Sequence, residues 1–262
     1  MNLAAGVLGL IVPDVRSSAA THVGCVRSSN QDAYCAKPAA GVWAVADGMG
    51  GHHGGERASA LIISAIEALP EDLSFAAKLS AVRTAIAEAN RAIFDEAKET
   101  GRQMGSTVVA LVVGEGRYAI LWAGDSRAYL RRDDALRCLT RDHSQAEELV
   151  AAGLLDASDV SGHPSSHVLV RAVGVMPNVD LDQIEGEIAR DDMVLLCSDG
   201  LHTLVSETEL LKIMTSEAFD GVSEQLVLLG LERGAPDNIT ACLAYMSGGD
   251  SVTGASFGHF QQ

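Results

Sequence analysis

Apolar residues along this chain fall into two rhythms, unbroken runs of strand length and stripes at helical spacing. Val42, Trp43, Ala44, Val45 and Ala46 make one such run, which ends in Asp47 and passes at once into Gly48, Met49, Gly50 and Gly51. A helical pattern begins after Glu56, so the run predicts a buried strand that delivers a carboxylate to its end. The arrangement recurs: residues 121–124 run into Asp125, residues 193–198 run into Asp199, and in mirror order Asp237 and Asn238 open the run 239–245.

Around these runs the pattern predicts the remaining elements. Residues 21–36 read as two strands joined by the polar loop 27–32. Ala58, Leu61, Ile62, Ala65, Ile66 and Leu69 form a helical stripe that Pro70 closes, and Ser74 caps a longer helix with Phe75, Leu79, Val82, Ile86, Ala89 and Ile93 on one face. These two helices are expected to form one layer. Residues 105–113, 117–123 and 127–130 predict an antiparallel meander. Ser144 and Glu147 form a capping box for a short helix that Gly153 ends. Residues 154–167 are polar and aperiodic, and predict a mobile surface segment.

Strands are expected at 179–187, 193–198 and 238–246. A second capping box, Ser206 with Glu209, opens a helix through Met214, and residues 222–233 form another that Gly234 stops. Strand meanders followed by paired helices describe an α+β layered domain. The domain is placed at 21–246, after an N-terminal segment 1–20 and before a disordered tail 247–262 rich in Gly, Ser and Asp.

Composition narrows the function. With 262 residues, 47% of them hydrophobic, the chain can bury a substantial core, and no linker divides it. A net charge of −16 argues against nucleic acid and anionic membrane surfaces as partners. The five cysteines are odd in number and contain no Cys-x-x-Cys pair, which suits reduced core residues in a cytoplasmic protein. The apolar stretch 3–12 has no basic residue before it and is too short to span a bilayer, which takes about 20 residues.

The repeated strand-end carboxylates are the candidate chemistry. Asp-Gly pairs are common turn formers, and for a single pair a turn is the better reading. Here Asp47-Gly48 and Asp199-Gly200 lead towards helices and not into return strands. Several carboxylates gathered at one end of a sheet repel one another unless a cation lies between them. Oxygen ligands of this kind favour magnesium, manganese or calcium over zinc. His52 and Glu56 have i, i+4 spacing but lack the His-Glu-x-x-His order of a zinc helix. No Lys-Ser or Lys-Thr follows the glycines, which excludes a P-loop.

Eight short motifs in fixed order complete the reading. They are Gly24-Cys25-Val26-Arg27 with Asn30-Gln31-Asp32, then VADGMGGH (45–52), GSTVV (105–109), AGDSRAYL (123–130), LTRDHS (139–144), LVRAVG (169–174), CSDGL (197–201) and PDNIT (236–240). In these the chain resembles the type 2C (PPM) metal-dependent protein phosphatases in their bacterial form, over residues 21–246. The resemblance implies a four-layer αββα sandwich, two antiparallel sheets flanked by helix pairs, with two Mn2+ or Mg2+ ions at one edge. It implies that Asp47 bridges both ions, that the Gly48 carbonyl binds one, and that Asp199 and Asp237 hold the other. Asp32 would act through water, Asp125 would help hold a third ion, and Arg27 would bind the substrate phosphate.

The activity implied is hydrolysis of phosphoserine and phosphothreonine in proteins, opposing Ser/Thr kinases. Water activated between two ions would attack phosphorus in line, without a phosphoenzyme. The chain departs from the family at two positions. Gln31 stands where an acidic residue is usual, and Met49 stands where animal members carry a histidine proposed as general acid. His52 is the candidate general acid here, beside metal-bound water. His163 and His167 are expected to be solvated flap residues in the segment 145–167. The partners implied are phosphoproteins and a Ser/Thr kinase, for a cytoplasmic monomer; the alternative is a non-catalytic phosphoprotein-binding or regulatory module on the same fold.

Overall fold

The strand-like runs pair into two antiparallel sheets, seen in a computed structural model that describes residues 14–51, 53–215 and 219–247. One sheet has the order β1 (Asp14–His22), β11 (Ile239–Ser247), β10 (Met193–Cys197), β7 (Arg127–Arg132) and β8 (Ala135–Cys138). The other has the order β2 (Asp32–Lys37), β3 (Val42–Met49), β5 (Val108–Gly114), β6 (Arg117–Ala123) and β9 (Asp182–Glu187), with β4 (Gly105–Ser106) against the end of β3. Helices α1 (Gly54–Glu67) and α2 (Phe75–Thr100) follow β3, and α3 (Gln145–Ala151) follows β8. After β10 come α4 (Asp199–His202), α5 (Glu207–Met214) and α6 (Val222–Glu232).

The central strands are apolar on both faces because both faces are covered. In β3, Val42, Ala44 and Ala46 pack with α1 and α2, whereas Trp43 and Val45 point to the interior between the sheets. In β10, Val194 and Leu196 enter that same interior, and Met193, Leu195 and Cys197 meet Leu210, Leu226 and Val227 of α5 and α6. Period-two alternation thus divides one apolar run between two cores, which is what a four-layer αββα sandwich requires. Trp43 is fully buried, and its indole N–H donates to Ser17 Oγ of the opposite sheet at 2.7 Å. Its polar atom is satisfied, so its whole area stabilises the interface.

The helix signals act as expected at most ends. Ser74 Oγ accepts from the Ala77 N–H, and Gly101 at φ 65° closes α2 in the left-handed conformation. Ser206 and Glu209 form a complete capping box on α5. Only half of the Ser144 box exists. Ser144 Oγ accepts from the Glu147 N–H, but the Glu147 carboxylate turns to Arg141 at 2.7 Å, a charge-assisted bond that outcompetes a neutral N–H.

Three differences from the sequence reading stand out. Residues 14–20, assigned to a segment outside the domain, pair with β11 throughout, from Asp14 opposite Ser247 to His22 opposite Ile239. Among them only Val15 is a large apolar side chain, too few for a strand pattern to stand out, so their strand nature comes from the neighbour. β8 was likewise not expected, as a four-residue edge strand opposite β7. Residues 157–162 form a 3-10 turn within the segment expected to be aperiodic. Ser247, expected to open the disordered tail, instead ends β11, and the rest of that tail, 248–262, lies outside the described residues, as do residues 3–12. Among the described residues no helix is long and apolar enough to cross a membrane.

Candidate active site

Four strand ends and two loops meet at one edge of the sandwich, and the backbone explains how. Asp47, two residues before the end of β3, lies directly opposite Asp32 at the start of β2. Its peptide unit is held on both sides: Thr107 Oγ1 accepts from the Asp47 N–H at 3.1 Å, and the Asp47 carbonyl accepts from the Thr107 N–H and from Ser106 Oγ. Gly48 then passes so close to α1 that a Cβ on it would stand 2.1 Å from the Gly55 carbonyl oxygen. Only glycine fits there. Its own carbonyl is the oxygen that the resemblance assigns to a cation.

The other sheet contributes Asp199, the first residue of α4 after β10, and Asp237, just before β11. Asn238 ties this corner to the loop between β1 and β2. Its Nδ2 donates to the carbonyls of Val23 and Ser29, both at 2.9 Å, and its Oδ1 accepts from the Gln31 N–H at 2.7 Å. Gly24, at φ +82°, lies on residues 235–237, where a Cβ would meet the Asp237 carbonyl at 2.1 Å. The loop is thereby folded over, and Arg27 Nη2 donates to Asp237 Oδ2 at 2.6 Å.

The electrostatics call for positive charge. Burial, and then Asp32, Asp199, Asp125 and Asp237, push the Asp47 carboxyl well above the usual range. Asp199 is raised by burial and by the charge of Asp237. Burial pushes Asp125 up to about 7, with Asp199 and Asp142 adding to it. Asp32 is pushed up to about 6 by burial, although its Oδ2 accepts from Ser198 Oγ at 2.7 Å and Thr240 Oγ1 at 2.6 Å. The other oxygen of Asp32 and one oxygen of Asp199 are buried without a hydrogen-bond partner.

Buried oxygens with no donor, and carboxyls that resist ionising beside one another, fit a hard divalent cation. The residues present therefore suit the ions that the resemblance implies. They do not form a closed ligand cage among the described residues. Asp237 is instead turned to the Arg27 guanidinium.

Behind the carboxylates lies a supporting layer. Arg127 grips Asp142 with Nε and Nη2, at 2.9 and 2.8 Å, and its Nη1 donates to the Tyr129 hydroxyl. His143 Nδ1 accepts from the Gly124 N–H at 3.1 Å, and its Nε2 faces Asp182. His202 Nε2 lies 3.0 Å from the Asp125 carbonyl, which only accepts, so this nitrogen carries the proton. Burial lowers His202 to about 4, keeping it neutral.

Arg27, Asp32, Asp47, Gly48, Asp125, Asp199 and Asp237 are thus brought to one place. Gln31 lines the same groove, with Oε1 against Gly55 at the start of α1. His52 lies outside the described residues. His167, expected to be a solvated flap residue, is exposed and also lines the groove. Reading the sequence also missed the holding roles of Thr107, Ser198, His202, Asn238 and Thr240. The one available signal was adjacency, since Ser198 and Asn238 flank assigned ligands.

A two-sheet sandwich whose edge gathers carboxylates from both sheets, with an arginine at the rim, defines a hydrolase that works on anionic substrates with hard divalent cations. Comparison with known proteins gives the family. A family model described as protein phosphatase 2C matches residues 25–227, and the chain belongs to this family of metal-dependent phosphatases. It is 34% identical over 206 residues to the serine/threonine phosphatase stp of Listeria monocytogenes, covering 76% of this chain and 82% of that one.

Among solved structures, PppA, a key regulatory component of T6SS in Pseudomonas aeruginosa, matches with a TM-score of 0.83 and 40% identity. The match covers 89% of this chain and 98% of that one. The catalytic domain of PstP in complex with 2 manganese ions matches with a TM-score of 0.77 and 31% identity, over 89% of this chain and 98% of that one. The family, the fold and the enzyme class implied by the motifs are therefore correct.

Proposed function

We propose that the protein is a manganese- or magnesium-dependent phosphatase of phosphoserine and phosphothreonine in proteins. The observation that carries this reading is the convergence of Asp32 and Asp47 from one sheet with Asp199 and Asp237 from the other, with buried oxygens lacking donors, beside Arg27. Asp47, the Gly48 carbonyl, Asp199 and Asp237 hold two ions, Asp32 acts through water, and buried Asp125 takes part in a third site. Bound there, the ions supply Lewis acidity that lowers the pKa of water and offsets charge on phosphoryl oxygens.

The chain's own residues set the geometry. Arg27 has a half-exposed side chain at the rim, and its planar fork suits two phosphate oxygens. The Thr107 and Ser106 contacts fix the Asp47 peptide, so its carboxylate needs no rearrangement during reaction. His202 holds its proton at Nε2 and fixes the Asp125 carbonyl. His167, in the groove wall, joins His52 as a candidate proton donor to the leaving oxygen.

Direct hydrolysis without a phosphoenzyme is supported by the thiols. Burial pushes Cys35 up to about 12 and raises Cys197 and Cys242 as well, so these three stay protonated. The 40% identity to PppA supports a part in the control of a type VI secretion system, and we infer that the protein acts there opposite a Ser/Thr kinase in the cytoplasm. Hydrolysis of para-nitrophenyl phosphate with manganese, and its loss in EDTA, tests the activity. Absence of turnover with every divalent ion leaves the non-catalytic binding module as the reading. Comparing phosphoproteins in a deletion strain with those in the parent tests the pathway.

A further inference from the structure

The groove that begins at the carboxylates extends well past them. It continues by Met49, Met104 and Gly105 to the last turns of α2, where Phe94, Lys98 and Arg102 line it together with Val170, Val175 and Met176, and its volume is about 1020 Å3. Pockets of about 300–1,000 Å3 hold entire drug-sized ligands, so one phosphorylated side chain fills a small part of this space.

Two features give the extension its chemistry. The first is apolar. Of the seven large apolar side chains that are well exposed among the described residues, Val168, Val170, Val175 and Met176 fall within one stretch of nine, with Met176 62% exposed. Such clustering marks a binding surface, where scattered exposed residues would not. The stretch is also fixed in place. Asn90, buried on α2, accepts from the Gly174 N–H at 2.6 Å and donates to the carbonyls of Met176 and Pro177 at 3.0 and 3.2 Å. Gly174, at φ +84°, lies so close to α2 that a Cβ would stand 2.2 Å from Ile93 Cγ2. Val173 pairs with Ser106 through both backbone bonds. Apolar side chains held out on a pinned backbone lose little entropy when a ligand covers them.

The second feature is charge. Among the described residues neither Lys98 nor Arg102 has an ion-pair partner, in a chain whose net charge is −16. Lys98 also complements the C-terminal end of α2, but Arg102 lies beyond the Gly101 cap and has no such part. Arg171 is occupied by Asp182. Outside the metal-site cluster, Asp180 is the one carboxylate among the described residues that lines the groove.

We propose that this extension is a docking groove for substrate polypeptide, selecting phosphorylated segments in which an apolar residue and then acidic residues lie to one side of the phosphorylated Ser or Thr. It rests on the phosphatase reading above and specifies its substrates. The apolar residue packs on Val170, Val175 and Met176, and the acidic ones meet Lys98 and Arg102. The test uses phosphothreonine peptides with an apolar or polar neighbour combined with acidic or neutral residues beyond it, on either side of the phosphothreonine. Their kcat/KM values are measured with manganese beside that of para-nitrophenyl phosphate.

The apolar-acidic peptide, in one of its two orientations, should exceed the polar-neutral one by about tenfold, the size of two exposed charge contacts. Lys98→Glu with Arg102→Glu should remove the acidic preference through KM, and Met176→Asp the apolar preference, with para-nitrophenyl phosphate unchanged. Equal kcat/KM for all peptides, or variants that leave the ranking intact, would overturn the groove. If para-nitrophenyl phosphate is not hydrolysed the phosphatase reading fails, and fluorescence anisotropy of the same labelled peptides decides the groove alone. The same ranking and the same losses uphold it, and indifference to sequence rejects it.

Discussion

At the scale of single residues, the proposed function divides labour between building charge density and placing substrate. Asp47→Asn and Asp199→Asn should abolish turnover together with manganese binding, because each removes a carboxylate from the shared cluster. Arg27→Ala should keep metal binding and lower kcat/KM roughly tenfold to a hundredfold, mostly through KM, the value of one charged hydrogen-bonding group. Calorimetric titration with manganese separates the two, and unchanged binding by Asp47→Asn would refute its assigned role. Gln31 lines the groove one residue from Asp32, so Gln31→Glu should tighten manganese or magnesium binding by about 10- to 100-fold and shift the activation curve to lower concentration. Superimposable activation curves for the two proteins would place Gln31 outside the metal's surroundings. The gathering of Asp47, Asp125, Asp199 and Asp237 was legible in the sequence, since each borders an apolar run, whereas Asp32 stands in a polar loop. The residues that hold them were not, because Ser198, Thr240 and Asn238 act on partners 166 to 215 positions away, and no local pattern encodes such a pairing.

Elements were legible in proportion to how much of their structure is their own. α2 carries its stripe, its Ser74 cap and its Gly101 stop within itself, whereas β1 and β8 owe their conformation to the strands beside them. The α5 start offers a quantitative test of local design. The Glu209 carboxylate accepts from the Ser206 N–H and hydroxyl and pairs with Arg233 just after α6, and Arg233 and Ser206 together hold it down to about 2. A carboxylate whose pKa is depressed in the folded state stabilises the protein above its unfolded pKa, and that stability fades as pH falls towards the folded value. Glu209→Gln should therefore lower Tm near pH 7. The gap between the two proteins should narrow from about pH 4.5 downward, towards about pH 2. Melts at pH 7, 5 and 3 check this, and a gap that persists undiminished at pH 3 would contradict the pairing.

Across the whole molecule, the carboxylates come from both sheets, so ions bound between them fasten one sheet to the other at an edge. Ligands that bind only the folded chain stabilise it by about 2.7 kcal/mol at a hundredfold excess over Kd. For a chain of this size that is roughly 5–10 °C in Tm. Differential scanning fluorimetry with manganese and then EDTA should show this rise and its reversal, and an unchanged Tm would mean that no ion bridges the sheets. The pairing of β1 with β11 also sets a timetable. Arg27 leaves the ribosome 210 residues ahead of the aspartate it meets, and β1 similarly far ahead of the strand it needs as a neighbour. A nascent or prematurely terminated chain accordingly has no active centre, and the cell is spared an enzyme that strips phosphates before it has finished being made.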